Sequence, residues 1–139
     1  MAYGYRDTAG SPRQIVLMQV DASTSTILAN DPLIAGTAGY VQKAAANEAP
    51  IVGVAIDGCT APSADGGKSI RVDVSPASRY EFPPDTGTVT QALVNTWVDY
   101  GGSQTINIDA TTDKCFFVQE VNTTRNTVTG VFLSPIPRS

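Results

Sequence analysis

Two pairs of acidic residues, Asp57 with Asp65 and Asp109 with Asp113, are where this chain could do acid–base chemistry. A working carboxylate pair needs neighbours that hold one group protonated and the other ionised. The sequence offers no such neighbour, because it has no His, the commonest general base and metal ligand. Most of the ten Asp residues stand beside Gly, Pro, Ser or Thr, where Asp ordinarily shapes turns. Asp57, Asp65 and Asp73 also miss the alternate-position spacing, closed by a Glu, of a compact calcium loop. Cys59 and Cys115 lie far apart and form no CxxC pair for zinc. No GxSxG, P-loop or GxGxxG is present. Trp97 with Tyr100 could stack on a sugar ring, although a lone Trp in a small β-domain usually lies in the core. These residues predict no catalytic group, no cofactor and no metal, hence not an enzyme.

The elements that must carry these side chains read as strands. Val (14), Thr (16) and Ile (9) supply 39 of the 139 residues, whereas Lys and Glu supply only 3 each. Branched side chains fit pleated surfaces, and helix surfaces favour Lys and Glu. The run at 51–56 (IVGVAI) is β-branched at four of six positions and predicts a strand buried on both faces. Gly53 at its centre marks a bulge, a sharp bend or a close backbone approach. Further strands are predicted at 15–20, 26–29, 33–34, 40–43, 69–74, 79–82, 106–109, 115–121 and 127–133.

Alternation in SIRVDV turns Ile70, Val72 and Val74 inward and Arg71 and Asp73 outward. In RYEF it turns Tyr80 and Phe82 inward. The stretch 89–100 (VTQALVNTWVDY) mixes helical spacing with β-branched residues. It predicts one helical turn near 91–95, then a strand through Trp97 and Asp99, with Gly101 and Gly102 turning the chain. The longest loop runs over 57–68, and Pro135 and Pro137 keep the tail out of a sheet interior. The fold class is all-β: a small β-barrel or β-sandwich of about nine short strands with at most one or two helical turns.

A chain of 139 residues is one domain by size. Its net charge of −4 and lack of a Lys/Arg cluster argue against nucleic acid as a partner. No run approaches the roughly 20 apolar residues of a membrane span. The first residues lack a basic stretch followed by an apolar core, so no secretory signal is expected. Folding in a cytoplasm then points to Cys59 and Cys115 as free thiols.

Residues 1–14 have no apolar periodicity and are expected to form a flexible N-terminal arm ahead of a single β domain at 15–139. The arm carries Tyr3, Tyr5, Arg6 and Arg13, residue types that interfaces favour. It has little reason to pack on its own domain, so its removal is expected to leave the melting temperature unchanged. Self-association, as a homotrimer, is expected because IVGVAI and CFFVQEV offer more apolar strand than one small barrel needs.

The chain also has a recognisable layout. After the arm come NDPL (30–33), GTAGYVQKA (36–44) and IVGVAI ahead of a Gly-rich loop. SIRVDV, YEFP (80–83) and TQALVNTWVDYGG (90–102) follow before the last strands. Over 15–133 this resembles the small head decoration, or cement, proteins of tailed bacteriophages. The resemblance implies a structural protein on the capsid exterior of the virion, assembled in the host cytoplasm. It would clamp neighbouring subunits of the major capsid protein, commonly as a trimer, with the arm ordering on the shell. No site residue transfers from the family. The alternative is a carbohydrate- or receptor-binding module of a phage tail or fibre, using Tyr80, Trp97 and Tyr100.

Overall fold

A computed structural model describes residues 3–48 and 50–132. In chain order the strands are β1 (Gly4–Asp7), β2 (Ile15–Gln19), β3 (Pro32–Ala35), β4 (Val41–Lys43), β5 (Gly53–Ala55) and β6 (Ser69–Asp73). They continue as β7 (Arg79–Phe82), β8 (Trp97–Gly102), β9 (Thr105–Asn107), β10 (Phe116–Asn122) and β11 (Thr127–Phe132). Single 3-10 turns at Thr37–Gly39 and Gln91–Leu93 are the helical elements among the described residues. The all-β expectation holds, with eleven strands in place of about nine.

Two antiparallel sheets divide these strands. One has six, in the order β1-β7-β11-β10-β8-β9, and the other five, in the order β2-β6-β5-β3-β4. Both curl without closing into a barrel. Val20, just past β2, makes a parallel bridge to Val41 at the start of β4, and Pro84, just past β7, bridges Ile106 of β9. The two end strands of the five-stranded sheet therefore meet at Val20 and Val41, and in the six-stranded sheet the end strand β9 meets the chain just past β7, the neighbour of the other end strand.

Two hydrophobic clusters follow from this curling. Val20, Ile27, Leu33, Val41, Ala55, Ile70 and Val72 fill the hollow of the five-stranded sheet. The larger cluster is built on Tyr80, Phe82, Val98, Tyr100, Ile106, Phe116, Val118 and Val128 of the six-stranded sheet. Ile51 and Val54, from the other sheet, belong to this second cluster. Strand β5 thus sends Ala55 into one core and Val54 into the other, and all three of its residues are buried. The two-faced burial predicted for IVGVAI is this arrangement.

Gly53 is at a close backbone approach. A Cβ placed there would run into the Val72 side chain and stand 3.0 Å from the carbonyl oxygen of Asp73. Val72 is fully buried and has no room to yield.

Several expectations are corrected. Residues 26–29 form no strand; Ile27 alone makes a bridge, to Cys59. Gly101 and Gly102 end β8, and the chain turns at Ser103 and Gln104, both at positive φ (48° and 58°), as a tight hairpin requires. All of β5 in IVGVAI is buried, whereas CFFVQEV buries Cys115, Phe116 and Val118 and leaves Phe117 and Val121 partly exposed. Leu133, Pro135 and Pro137 lie outside the described residues.

Gly53→Val should cost about 1–3 kcal/mol by overpacking between β5 and β6. Chemical denaturation should show the loss as a lower midpoint with an unchanged slope.

Candidate interaction surface

The predicted carboxylate pairs are taken in different directions by their hydrogen bonds. Asp57 grips Arg71, with Oδ1 2.7 Å from Nη2 and Oδ2 3.0 Å from Nε. That guanidinium, with the Arg71 backbone N–H, lowers the Asp57 pKa to about 2. Asp65 Oδ1 instead accepts the Ala22 N–H at 2.8 Å. The Asp109 N–H donates to Asn107 Oδ1, and the Asp113 N–H donates to Asp99 Oδ1. Among the described residues no group of three or more His, Cys, Asp or Glu is placed to hold a metal ion. Cys59 and Cys115 are free thiols. Burial pushes the Cys115 thiol up to about 12, too high for a thiolate at neutral pH.

The carboxylates that organise the structure are others. Asp73, predicted to face solvent from β6, is only 3% exposed. Its Oδ2 accepts the Tyr80 hydroxyl at 2.6 Å and Arg13 Nε at 3.0 Å, and its Oδ1 accepts the Ser75 N–H at 2.9 Å. Burial works to raise its pKa, yet the hydrogen bonds, Tyr80 and Ser75 among them, outweigh burial and hold it below the ordinary value. Burial and the same carboxylate push the Tyr80 hydroxyl far above its ordinary range.

Glu81 on β7 is also 3% exposed. Its Oε1 accepts Arg6 Nη1 at 3.1 Å and Arg125 Nη1 at 3.0 Å, and its Oε2 accepts the Thr127 hydroxyl at 2.6 Å. A sequence signal existed for Asp73: with Ser two positions later it forms an Asx-turn. For Glu81 there was none, because its partners come from elements distant in sequence.

These two carboxylates decide the place of the N-terminal residues. Gly4–Asp7 is an edge strand paired antiparallel with β7, Gly4 opposite Glu81 and Tyr5 opposite Tyr80. The Tyr5 ring meets Tyr80 edge-on at 5.8 Å, and the Arg13 guanidinium lies 3.6 Å over the Tyr5 ring. Arg79 closes the strand end by donating to Asp7 at 2.7 and 2.8 Å. The arm expected to stay apart from its domain is therefore part of the six-stranded sheet. Its backbone adds a strand, and its arginines neutralise carboxylates that β6 and β7 bury. Tyr3 keeps 39% of its surface exposed, Arg6 pairs with Glu81 while its side chain stays 52% exposed, and Arg13 is engaged with Asp73. Met1 lies outside the described residues.

The proposed sugar platform does not assemble. Tyr80 and Tyr100 are buried at 2% and 0% exposure on the inner face of their sheet. Trp97 stands on the outer face and packs on Phe117, ring centroids 4.7 Å apart. The strand register extends this pair into a row, Trp97 opposite Phe117 and Phe117 opposite Val131, across β8, β10 and β11. Toward β7 and β1 the same face becomes ionic, with Arg79 held between Asp7 and Glu120 and Glu81 between Arg6 and Arg125. An apolar row beside a charged one is a surface suited to docking a protein.

No protein-family model, no curated protein and no solved structure matches the chain.

Arg13→Ala should lower stability by about 1–3 kcal/mol at pH 7, because Asp73 is left buried without its cation. The deficit should shrink as the pH falls below the ordinary carboxylate range and Asp73 takes up a proton. Asp7 and Asp57 sit at about 2 in the folded protein against an ordinary 3.8, and Asp73 is lowered as well. Carboxylates with lowered pKa stabilise the fold above the ordinary value and lose that contribution as pH falls toward the folded one. The melting temperature should therefore be level from pH 7 to about 5 and fall between about pH 4 and 2.

Proposed function

We propose that this is a structural protein, a head decoration protein that binds the exterior of a bacteriophage capsid and stabilises the shell. The observation that carries the reading is the outer face of the six-stranded sheet, where Trp97, Phe117 and Val131 form an apolar row beside an ionic one. Trp is among the residues that most often anchor an interface, and here it is 36% exposed on a rigid strand.

The partner in this reading is the major capsid protein, met in the host cytoplasm during assembly and kept on the virion. Of the arm residues, Tyr3 and Arg6 keep the most exposed surface and in this reading meet the shell, while Tyr5 and Arg13 support their own domain. Net charge of −4 agrees with a protein surface as partner and not nucleic acid. Stabilisation would come by linkage: binding only the mature lattice favours that lattice, multiplied over many copies.

Co-sedimentation with expanded shells tests this. The full chain should pellet with shells, and Trp97→Ala should weaken binding at least about tenfold, the cost of losing one interface anchor. Its melting temperature should change little. Failure to bind shells, or Trp97-dependent binding to a glycan array in their place, would replace the reading with the carbohydrate-binding one.

A further inference from the structure

Strand β6 belongs to the five-stranded sheet and β7 to the six-stranded one, so the turn between them carries the chain from sheet to sheet. A small cavity lies against this turn. Its walls include Gly53 and Val54 of β5, Asp73 at the end of β6, Ser75 and Ser78 of the turn, and Tyr80 of β7.

One buried group on these walls lacks a partner. Ser78 is 3% exposed, and its hydroxyl makes no hydrogen bond of ordinary length and angle. Its backbone N–H, by contrast, donates to the Ser75 carbonyl at 3.4 Å. A hydroxyl buried alone is costly, and such groups are ordinarily bonded to protein or to ordered water. The Ser78 hydroxyl stands near enough to Asp73 to help hold that carboxyl's pKa down. Two polar groups that face each other without closing a bond are what an intervening water joins.

Asp73 has room for such a bond. An ionised carboxylate accepts about four hydrogen bonds, two at each oxygen. Oδ2 takes the Tyr80 hydroxyl and Arg13 Nε, whereas Oδ1 takes the Ser75 N–H and keeps a lone pair. Size and charge select the occupant. The cavity measures about 20 Å³, and roughly 10–15 Å³ is enough for one water. Arg13 already neutralises Asp73, so a cation would bring excess charge into a buried place and an anion would face the carboxylate. Cavities that stay dry are apolar, and this one has a carboxylate and a hydroxyl in its wall.

We propose that this cavity is the binding site of one structural water, held between the Ser78 hydroxyl and Asp73 Oδ1. Ser78 donates to the water, and the water donates one hydrogen to the carboxylate. The turn that joins the two sheets is thereby tied to the group that already holds Tyr80 and Arg13. The site does not depend on the decoration reading and needs no shell.

A high-resolution crystal structure of the full chain tests this. One ordered water should lie within hydrogen-bond distance of both Ser78 Oγ and Asp73 Oδ1. A Ser78 hydroxyl bonded straight to Asp73, or a cavity without a water, overturns the proposal. Ser78→Ala gives a second reading in solution. Loss of a partner of the water should raise the unfolding equilibrium constant roughly two- to tenfold in urea denaturation. An unchanged or lower constant would show that the hydroxyl bonded nothing, and would overturn the proposal as well. Should Ser78→Ala fail to fold, the parent's crystal structure decides alone.

Discussion

Strand β5 is short, but the rest of the molecule is arranged around the need to cover both of its faces. Val54 and Ala55 point into different cores. A strand with two apolar faces cannot border solvent, so one sheet must curl around one side and the other sheet must close over the opposite side. Gly53 lets this happen at close range, because a side chain there would push β6 away. Neighbouring β3 repeats the division, with Leu33 in the smaller cluster and Ile34 packed against the larger. The seam between the sheets is thus two strands wide.

The second constraint is electrostatic. Asp73 and Glu81 are almost fully buried, and a buried carboxylate is costly unless it is paired and hydrogen-bonded. Each draws one of its cations from the N-terminal residues, Arg13 and Arg6. Tyr80, between them on β7, hydrogen-bonds Asp73 while its ring supports Tyr5. Backbone pairing, ring contact and charge neutralisation therefore select the same position for the same ten or so residues, the agreement between levels that gives one structure its advantage.

Much of the architecture was legible because it depends on local pattern. RYEF, SIRVDV and the final hairpin are strands where alternation put them, and the turn at Gln91–Leu93 followed by a strand through Trp97 appeared as spacing implied. What sequence reading missed is non-local. Alternation labels Asp73 and Glu81 outward, and only the long-range approach of Arg13, Arg6 and Arg125 makes their burial tolerable. Strand β1 has no apolar period because its stabilisation comes from an edge already present and from ion pairs. The outer row of Trp97, Phe117 and Val131 was invisible for the same reason, as it exists only once three strands are in register.

The pairing of β1 with β7 also fixes an order of events during synthesis. Gly4 meets Glu81, and Arg6 reaches the same residue across a sequence separation of 75. When residues 4–7 leave the ribosome, the edge that will receive them has not been made. They must wait, extended and unpaired, while the five-stranded sheet acquires β6 and the chain crosses back to form β7. Long-range closure of this kind is slow compared with hairpin formation. Strand β7 must also take β11 on its other side, and β11 is made later still. The edge that receives β1 is therefore settled only after β11 has been made, and residues 4–7, made well before it, are among the last to find their place.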